Sequence, residues 1–247
     1  MLSKKKDIWI VISLCVLAFY IIFMIYPLGI LFKNAVIENN GDFTFAYFTK
    51  FLSKNYYFST IFNSFKVSLA ATALTLIIGT PLAYFYNMYK IKGKTFLQII
   101  IILCSMSAPF IGAYSWILLL GRNGLITNAI KNLIGFNVPS IYGFGGILLV
   151  LCMQLYPLVF LYVSGALRNI DNSLLEASEN MGCTGARRFF KIIIPLCIPT
   201  ILAAALMVFM RAFADFGTPL FIGEGYRTFP VEIYNQFMNE TGSDKNF

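Results

Sequence analysis

The stretch EASENMGCTGARRFFKIIIP, Glu176 to Pro195, lies between two apolar runs that are each long enough to cross a membrane. It carries five charged side chains, Glu176, Glu179, Arg187, Arg188 and Lys191, and is interrupted by Gly182 and Gly185. Just upstream, Ser173-Leu-Leu-Glu176 has the spacing of a capping box, in which each side chain satisfies an orphan backbone N–H. Asp171 and Asn172 are alternative caps. Leu174, Ala177 or Ser178, and Met181 recur at helical spacing, so a short helix with one apolar stripe is expected here. Gly182 is placed to end that helix in a left-handed conformation. Thr184 is placed to cap a second helix running through Arg187 and Arg188 into Phe189, and Pro195 marks the start of the next span. Two turns of helix are unstable alone in water. The segment must therefore pack on its own bundle, on lipid headgroups or on a second protein. Glu176 and Glu179 do not suit anionic lipid, which points to a protein partner.

The rest of the chain explains why this segment is exceptional. Of 247 residues, 58% are hydrophobic and 12% charged, against about 45–50% and about 25% in a soluble domain. One globular core cannot hold this surplus, so lipid is the solvent. The net charge is +8. No basic–aromatic module accompanies it, and basic residues in cytoplasmic loops account for it, so nucleic acid is not a partner. There is no histidine among the residues, and the five cysteines include no Cys-x-x-Cys pair. No metal site is expected, and the commonest general base is missing. Gly93-Lys94-Thr95 fails as a phosphate-binding loop, because the position five residues before Gly93 is Met88 rather than glycine. No cofactor is expected in this chain.

Five apolar runs read as spans: Ile8 to about Phe32, Ile61–Tyr86, Phe96–Leu120, Ile141–Leu167 and Leu196 to about Phe213. At about 1.5 Å per helical residue each crosses, or nearly crosses, a hydrocarbon core of about 30 Å. The third is expected to be broken by Pro109 and Gly112. Lys33–Ser59 and Gly121–Ser140 read as loops, and the tail after Thr218 as mostly polar. The expected fold is all-α: a polytopic membrane helix bundle of about five transmembrane helices plus one short helix outside the bilayer. Residues 1–60 would form the first span and an external loop, 61–223 the core domain with the loop 169–195, and 224–247 an external tail. Ten Lys and Arg flank one side of the spans and seven the other. The N-terminus, the Lys90 turn and the Glu176 loop are therefore expected to be cytoplasmic. The chain is expected to be a piece of a longer protein that lacks at least one further span.

Glu176-Ala177-Ser178, three residues, Gly182, then Phe189, Ile192 and Pro195 resemble the EAA loop of binding-protein-dependent ABC importer permeases. Ser178 in place of a second alanine and Ile194 in place of leucine are the departures, both small or isosteric. APFIGAYSWILLLGRNGLIT (Ala108–Thr127) and RAFADFGTPLFIG (Arg211–Gly223) resemble the ferric-iron-type subgroup. Together the resemblance runs from roughly Pro81 to Gly223. It implies a transport subunit rather than an enzyme. Glu176, Ala177, Ser178, Gly182, Arg187, Phe189 and Pro195 would then form the coupling helix and loop that dock on a cytosolic ABC ATPase dimer, where ATP-Mg is bound. It further implies an extracytoplasmic substrate-binding protein, a second permease half (fused or separate) and a bacterial inner membrane as the site. The cargo it implies is ferric iron, with 2-aminoethylphosphonate, polyamine and thiamine as alternatives.

Candidate pathway or gate residues are Arg211, Asp215, Phe216, Pro109 and Pro157. Arg211 and Asp215 sit four apart near the outer end of the fifth span. They read either as a gate or pathway wall, or as a local ion pair that orders the Gly217-Thr218-Pro219 turn. Pro109 and Pro157 free backbone carbonyls that could line a pathway, or they kink helices for packing. An ion-coupled secondary transporter is the alternative of another class, for which Asp215 is the only acidic candidate near the spans. With no histidine, no paired intramembrane carboxylates and no Ser/Lys dyad, a membrane-embedded enzyme is disfavoured.

Overall fold

The computed structural model describes residues 2–37, 43–89, 92–106, 108–135 and 140–238. The elements among these residues are all helical, as expected. The chain divides into two compact units, Ser59–Tyr234 and Met1–Phe58 with Asn235–Phe247.

In the N-terminal unit, α1 (Leu2–Tyr20) runs into α2 (Tyr26–Val36) through a π turn, Ile21–Ile25. The Tyr26 N–H donates to the Ile21 carbonyl, five residues back, and Pro27 follows at once. Proline has no N–H and crowds the carbonyl four residues before it, so a widened turn accommodates it without breaking the helix. The resulting apolar helix, Ile8–Val36, is 29 residues long. A helix apolar on all sides and exposed nearly throughout suits lipid. The expected loop 33–59 instead contains a short helix, α3 (Ala46–Ser53). Phe51 stacks on Tyr57 at 4.8 Å, and the Lys54 ammonium sits 5.4 Å from the Tyr57 ring centroid. At eight residues, mostly aromatic or apolar, this helix is too short to stand out in the sequence from the polar-aromatic stretch around it.

The larger unit carries the remaining spans. α4 (Asn55–Met88) is longer at both ends than the expected second span. α5 (Lys94–Ser105) and α6 (Pro109–Leu120) replace the single third span, and the helical segments on either side of the break are bent by 105°. Pro109 is therefore a residue of the first turn of α6, not of a helix interior, and Ala108 before it is extended at ψ 139°. That is the conformation a following proline imposes. The expected loop 121–140 contains α7 (Leu125–Ile134), closed by Gly135 at φ +70°. α8 (Phe144–Arg168) is followed by α9 (Asn172–Asn180) and α10 (Gly185–Arg188). A second π turn, Phe189–Ile193, leads into α11 (Ile194–Phe213). Beyond α11 the chain forms α12 (Gly217–Ile222) and α13 (Phe229–Met238). Among the described residues, four helices are long and apolar enough to cross a membrane, and five if the bent pair counts as one span.

α8 lies at the centre of this unit, packed against α5, α6, α11 and α12. Its Ile147, Val150, Leu151, Val159, Phe160 and Val163 are almost fully buried. α4 approaches α8 at Gly79, where backbone comes close to the Val159 side chain. Along α4, Ser64, Ser68, Thr72 and Thr75 are buried. Ser68, Thr72 and Thr75 donate to carbonyls of the preceding turn, at 2.7, 2.7 and 2.9 Å. Small hydroxyl residues at this spacing let helices approach closely without leaving polar atoms unpaired.

Candidate functional site

The loop between α8 and α11 is built from local rules. Three residues, Asn169–Asp171, link α8 to α9. The Asp171 carboxylate accepts from the Ser173 N–H at 3.0 Å and caps the helix. This corrects the capping-box reading: α9 begins at Asn172, so Ser173 already lies in its first turn and Glu176 is free of capping duty. At the other end Gly182 adopts φ +74°. Its N–H donates to the Glu179 carbonyl and the Cys183 N–H to the Ser178 carbonyl, both at 2.9 Å. This pair of bonds is a Schellman motif, which satisfies the last carbonyls of the helix. Thr184 sits at the cap position of α10, but its hydroxyl makes no capping bond. The Arg188 guanidinium reaches back across the turn to the Glu179 carboxylate at 3.5 Å.

The expected stripe takes its Ala177 alternative and faces outward, while Ser178 turns inward. Leu175 packs on the core. Ser178 is 2% exposed and its hydroxyl donates to the Leu175 carbonyl at 2.7 Å. Leu174 and Met181, 51% and 79% exposed, point outward with Ala177 and Glu176. An apolar strip flanked by a carboxylate therefore faces away from the bundle. Arg187 is exposed, as is Phe190, whereas Phe189 turns inward with its ring centroid 4.7 Å from that of Tyr84. Pro195 does not start a separate span. The helix is continuous from Gly185 to Phe213, because the Ile194 N–H donates to the Phe189 carbonyl in a widened turn just before the proline.

The outer candidates also rearrange. Arg211 and Asp215 form no ion pair with each other among the described residues. Asp215 accepts from the Thr218 N–H at 3.2 Å and so orders the start of α12 by capping. Burial pushes its carboxyl above the ordinary value, and hydrogen bonds from Thr218 and Gly217 pull it partly back. Phe216 meets Phe110 at 5.9 Å and Tyr234 at 4.9 Å, and Phe110 also meets Phe221 at 6.0 Å. Pro109 thus stands next to a residue of this aromatic group, while Pro157 is buried inside α8. Arg122 pairs with Glu224 and lies 5.3 Å from the Tyr142 ring centroid. Sequence reading missed Arg122, Glu224 and Tyr84, because neither spacing nor composition marks a contact between residues so far apart. Among the described residues no three His, Cys, Asp or Glu side chains are grouped to hold a metal ion.

A family model described as binding-protein-dependent transport system inner membrane component matches residues 75–243. The chain is 29% identical over 241 residues to the putative ferric transport system permease protein FbpB 1 of Haemophilus influenzae, covering 94% of this chain and 38% of that protein. It is 24% identical over 244 residues to the putative 2-aminoethylphosphonate transport system permease protein PhnU of Salmonella paratyphi A, covering 97% and 83%. It thus spans less than two-fifths of the ferric relative's length. Among solved structures, it is similar to a chain of a bacterial ABC transporter involved in the import of the acidic polysaccharide alginate. The TM-score is 0.76 at 18% identity, covering 96% of this chain and 86% of that one. A second structure of a bacterial alginate transporter, in complex with a pentasaccharide-bound periplasmic protein, matches with a TM-score of 0.77 at 17% identity, covering 97% and 86%. At these identities the two structures speak to the fold.

Proposed function

This chain belongs to the family of binding-protein-dependent transport system inner membrane components, a multi-pass membrane family, and on that premise we propose that it is a permease half of an ATP-driven importer. The observation that carries the reading is the outward strip of α9, Leu174, Ala177 and Met181 beside Glu176, held between two long apolar helices. Apolar side chains displayed on a capped helix outside the spans fit a groove on a cytosolic ATPase dimer. ATP-Mg would be bound and hydrolysed in that partner. Closing of the dimer would move α9, and with it α8 and α11, to which it is joined. Loaded binding protein on the opposite face and ATP on this one favour different states of the bundle, and such differential affinity is what drives a two-state switch. A cytoplasmic N-terminus is part of this reading, supported by the excess of Lys and Arg on one side of the spans.

The cargo we propose is ferric iron, supported by the relatives at 28–29% identity named as ferric permeases. Import of 2-aminoethylphosphonate by the same machinery is the second reading, supported by relatives that match nearly the whole of this chain. The second permease half is fused or separate. The test is radiolabelled ferric-iron uptake in the native host with the intact gene and with Glu176→Arg. Uptake lost in the variant, with the protein still in the membrane, supports coupling and cargo together. Equal uptake in both strains overturns the coupling role of Glu176. Absence of iron uptake in the intact strain, with 2-aminoethylphosphonate carried instead, overturns the iron assignment alone.

A further inference from the structure

The loop that bears α9 is joined to the bundle at two places, and they differ in stiffness. Upstream the link is short and packed: Leu167 is buried, and Ile170 and Leu175 rest on the core. Downstream the chain passes Gly182 and Gly185, both at positive φ, and two glycines make a poor lever. The ion pair across that turn adds little, since Glu179 is largely exposed and exposed pairs are weak. The firm downstream contact is the ring of Phe189 against Tyr84.

Tyr84 is 6% exposed. Its ring also meets Phe85 at 5.6 Å and Tyr89 at 6.4 Å. The turn of α4 that carries it is locked to α8. One helical turn on, the Asn87 amide donates to the Ser164 hydroxyl at 2.8 Å and to the Ala83 carbonyl at 2.8 Å. Just upstream, Gly79 lies against Val159. A close-packed body of this kind transmits displacement rather than absorbing it. Phe189 also opens the π turn that leads into α11, so one residue touches the loop, α11 and α4.

We propose that Tyr84 is a positioning residue for import: its ring seats Phe189, and through that contact the displacement of α9 reaches α4. This rests on the coupling role proposed above for residues 169–195. Tyr84 touches neither cargo nor nucleotide and acts only through Phe189.

The test uses the full complex in membrane vesicles, with its ATPase and binding protein. The transported probe is radiolabelled ferric citrate or radiolabelled 2-aminoethylphosphonate, whichever the native complex imports. Uptake and ATP hydrolysis are read together for Tyr84→Ala, Phe189→Ala, the double variant, Tyr84→Phe and Glu176→Arg. Tyr84→Ala and Phe189→Ala should each lower uptake about tenfold while hydrolysis continues, and the double variant should be no worse than either single one, as for residues sharing one contact. ATP consumed per ion or molecule imported therefore rises. Tyr84→Phe keeps the ring and should keep uptake. Uptake in Tyr84→Ala within about twofold of native, or losses that multiply in the double variant, would overturn the proposal. So would uptake and hydrolysis falling in parallel, since that marks a purely structural role. Loss in Glu176→Arg with normal uptake in Tyr84→Ala overturns this inference alone, whereas normal uptake in both overturns the coupling reading beneath it. If Tyr84→Ala does not reach the membrane, Tyr84→Leu and Phe189→Leu keep the apolar bulk without the stacked rings and are read the same way.

Discussion

Gly79 of α4 and Val159 of α8 sit so close that a Cβ built on the glycine would lie 2.8 Å from the valine Cβ and 3.1 Å from the Tyr156 carbonyl oxygen. Neither atom is the far end of a flexible side chain, so the two helices must part to admit even a methyl group. Gly79→Ala should therefore cost about 1–3 kcal/mol, the range for overpacking a filled interior. Gly145→Ala on α8, where an added Cβ meets nothing within 4 Å, is the control. Thermal unfolding of the detergent-solubilised protein reads both, and equal melting temperatures would show that α4 and α8 are not in this contact.

The cap of α9 is assigned to Asp171. Asp171→Ala should destabilise by about 1 kcal/mol, as loss of a carboxylate cap does. Ser173→Ala should have almost no effect, because the Ser173 backbone N–H, not its hydroxyl, makes the bond. The reverse order of effects in the same melts would restore the capping box that the sequence alone proposes.

Gly182 closes α9 at φ +74°. An L side chain there costs about 1–2 kcal/mol, so Gly182→Ala should loosen the end of α9 without unfolding the spans. Gly182→Pro should do more, since it also removes the N–H that reaches the Glu179 carbonyl. The expected readout is uptake reduced in the order Pro below Ala below native, with the amount of protein in the membrane unchanged. Normal uptake in the proline variant would separate this turn from coupling.

Met181 and Glu176 are exposed, so substitution there should leave stability alone and change docking. Met181→Asp should abolish co-purification of the ATPase while the melting temperature stays near native, because truncating or charging an apolar anchor costs binding, not folding. Retained co-purification would move the ATPase contact elsewhere on the chain.

Asp215 yields a pH dependence. Its carboxyl is raised in the folded state, chiefly by burial, so the folded protein holds the proton more tightly than the unfolded chain. The site therefore opposes folding most above its raised value, and that cost disappears as pH falls below the unfolded value. Asp215→Asn can still accept from the Thr218 N–H but does not titrate. The melting temperature of the variant minus that of native should be larger at about pH 7 than at about pH 4. A difference that is flat with pH would show the carboxyl is not buried as described.

Much of the architecture was legible because it follows from short-range rules. Apolar length marked the spans, and the glycine at 182 marked the end of α9. Even the break before α6 carries a local signal in Ala108-Pro109, since a proline pushes the residue before it out of the helical region. The break expected at Pro109 falls just before it, whereas Gly112, the other expected breaker, lies inside α6, and the 105° bend has no local mark. α7 and α13 were missed because their polar residues look like loop although their apolar residues return at helical spacing.

The sequence by itself determined which segments are long and apolar, that the chain is all-α, and that residues 169–195 form a capped helix, a glycine turn and a second helix. Each depends on composition or on neighbours within a few positions. The tertiary structure alone decided that Ser178 turns inward while Ala177 faces out, that Asp215 bonds Thr218 rather than Arg211, and that Phe189 rests on Tyr84. Adjacent residues on a helix differ by about 100° in direction, so a pattern shows that a face exists but not where it points. That direction is set by what α4, α8 and α11 leave room for, and those helices meet only when the chain has folded.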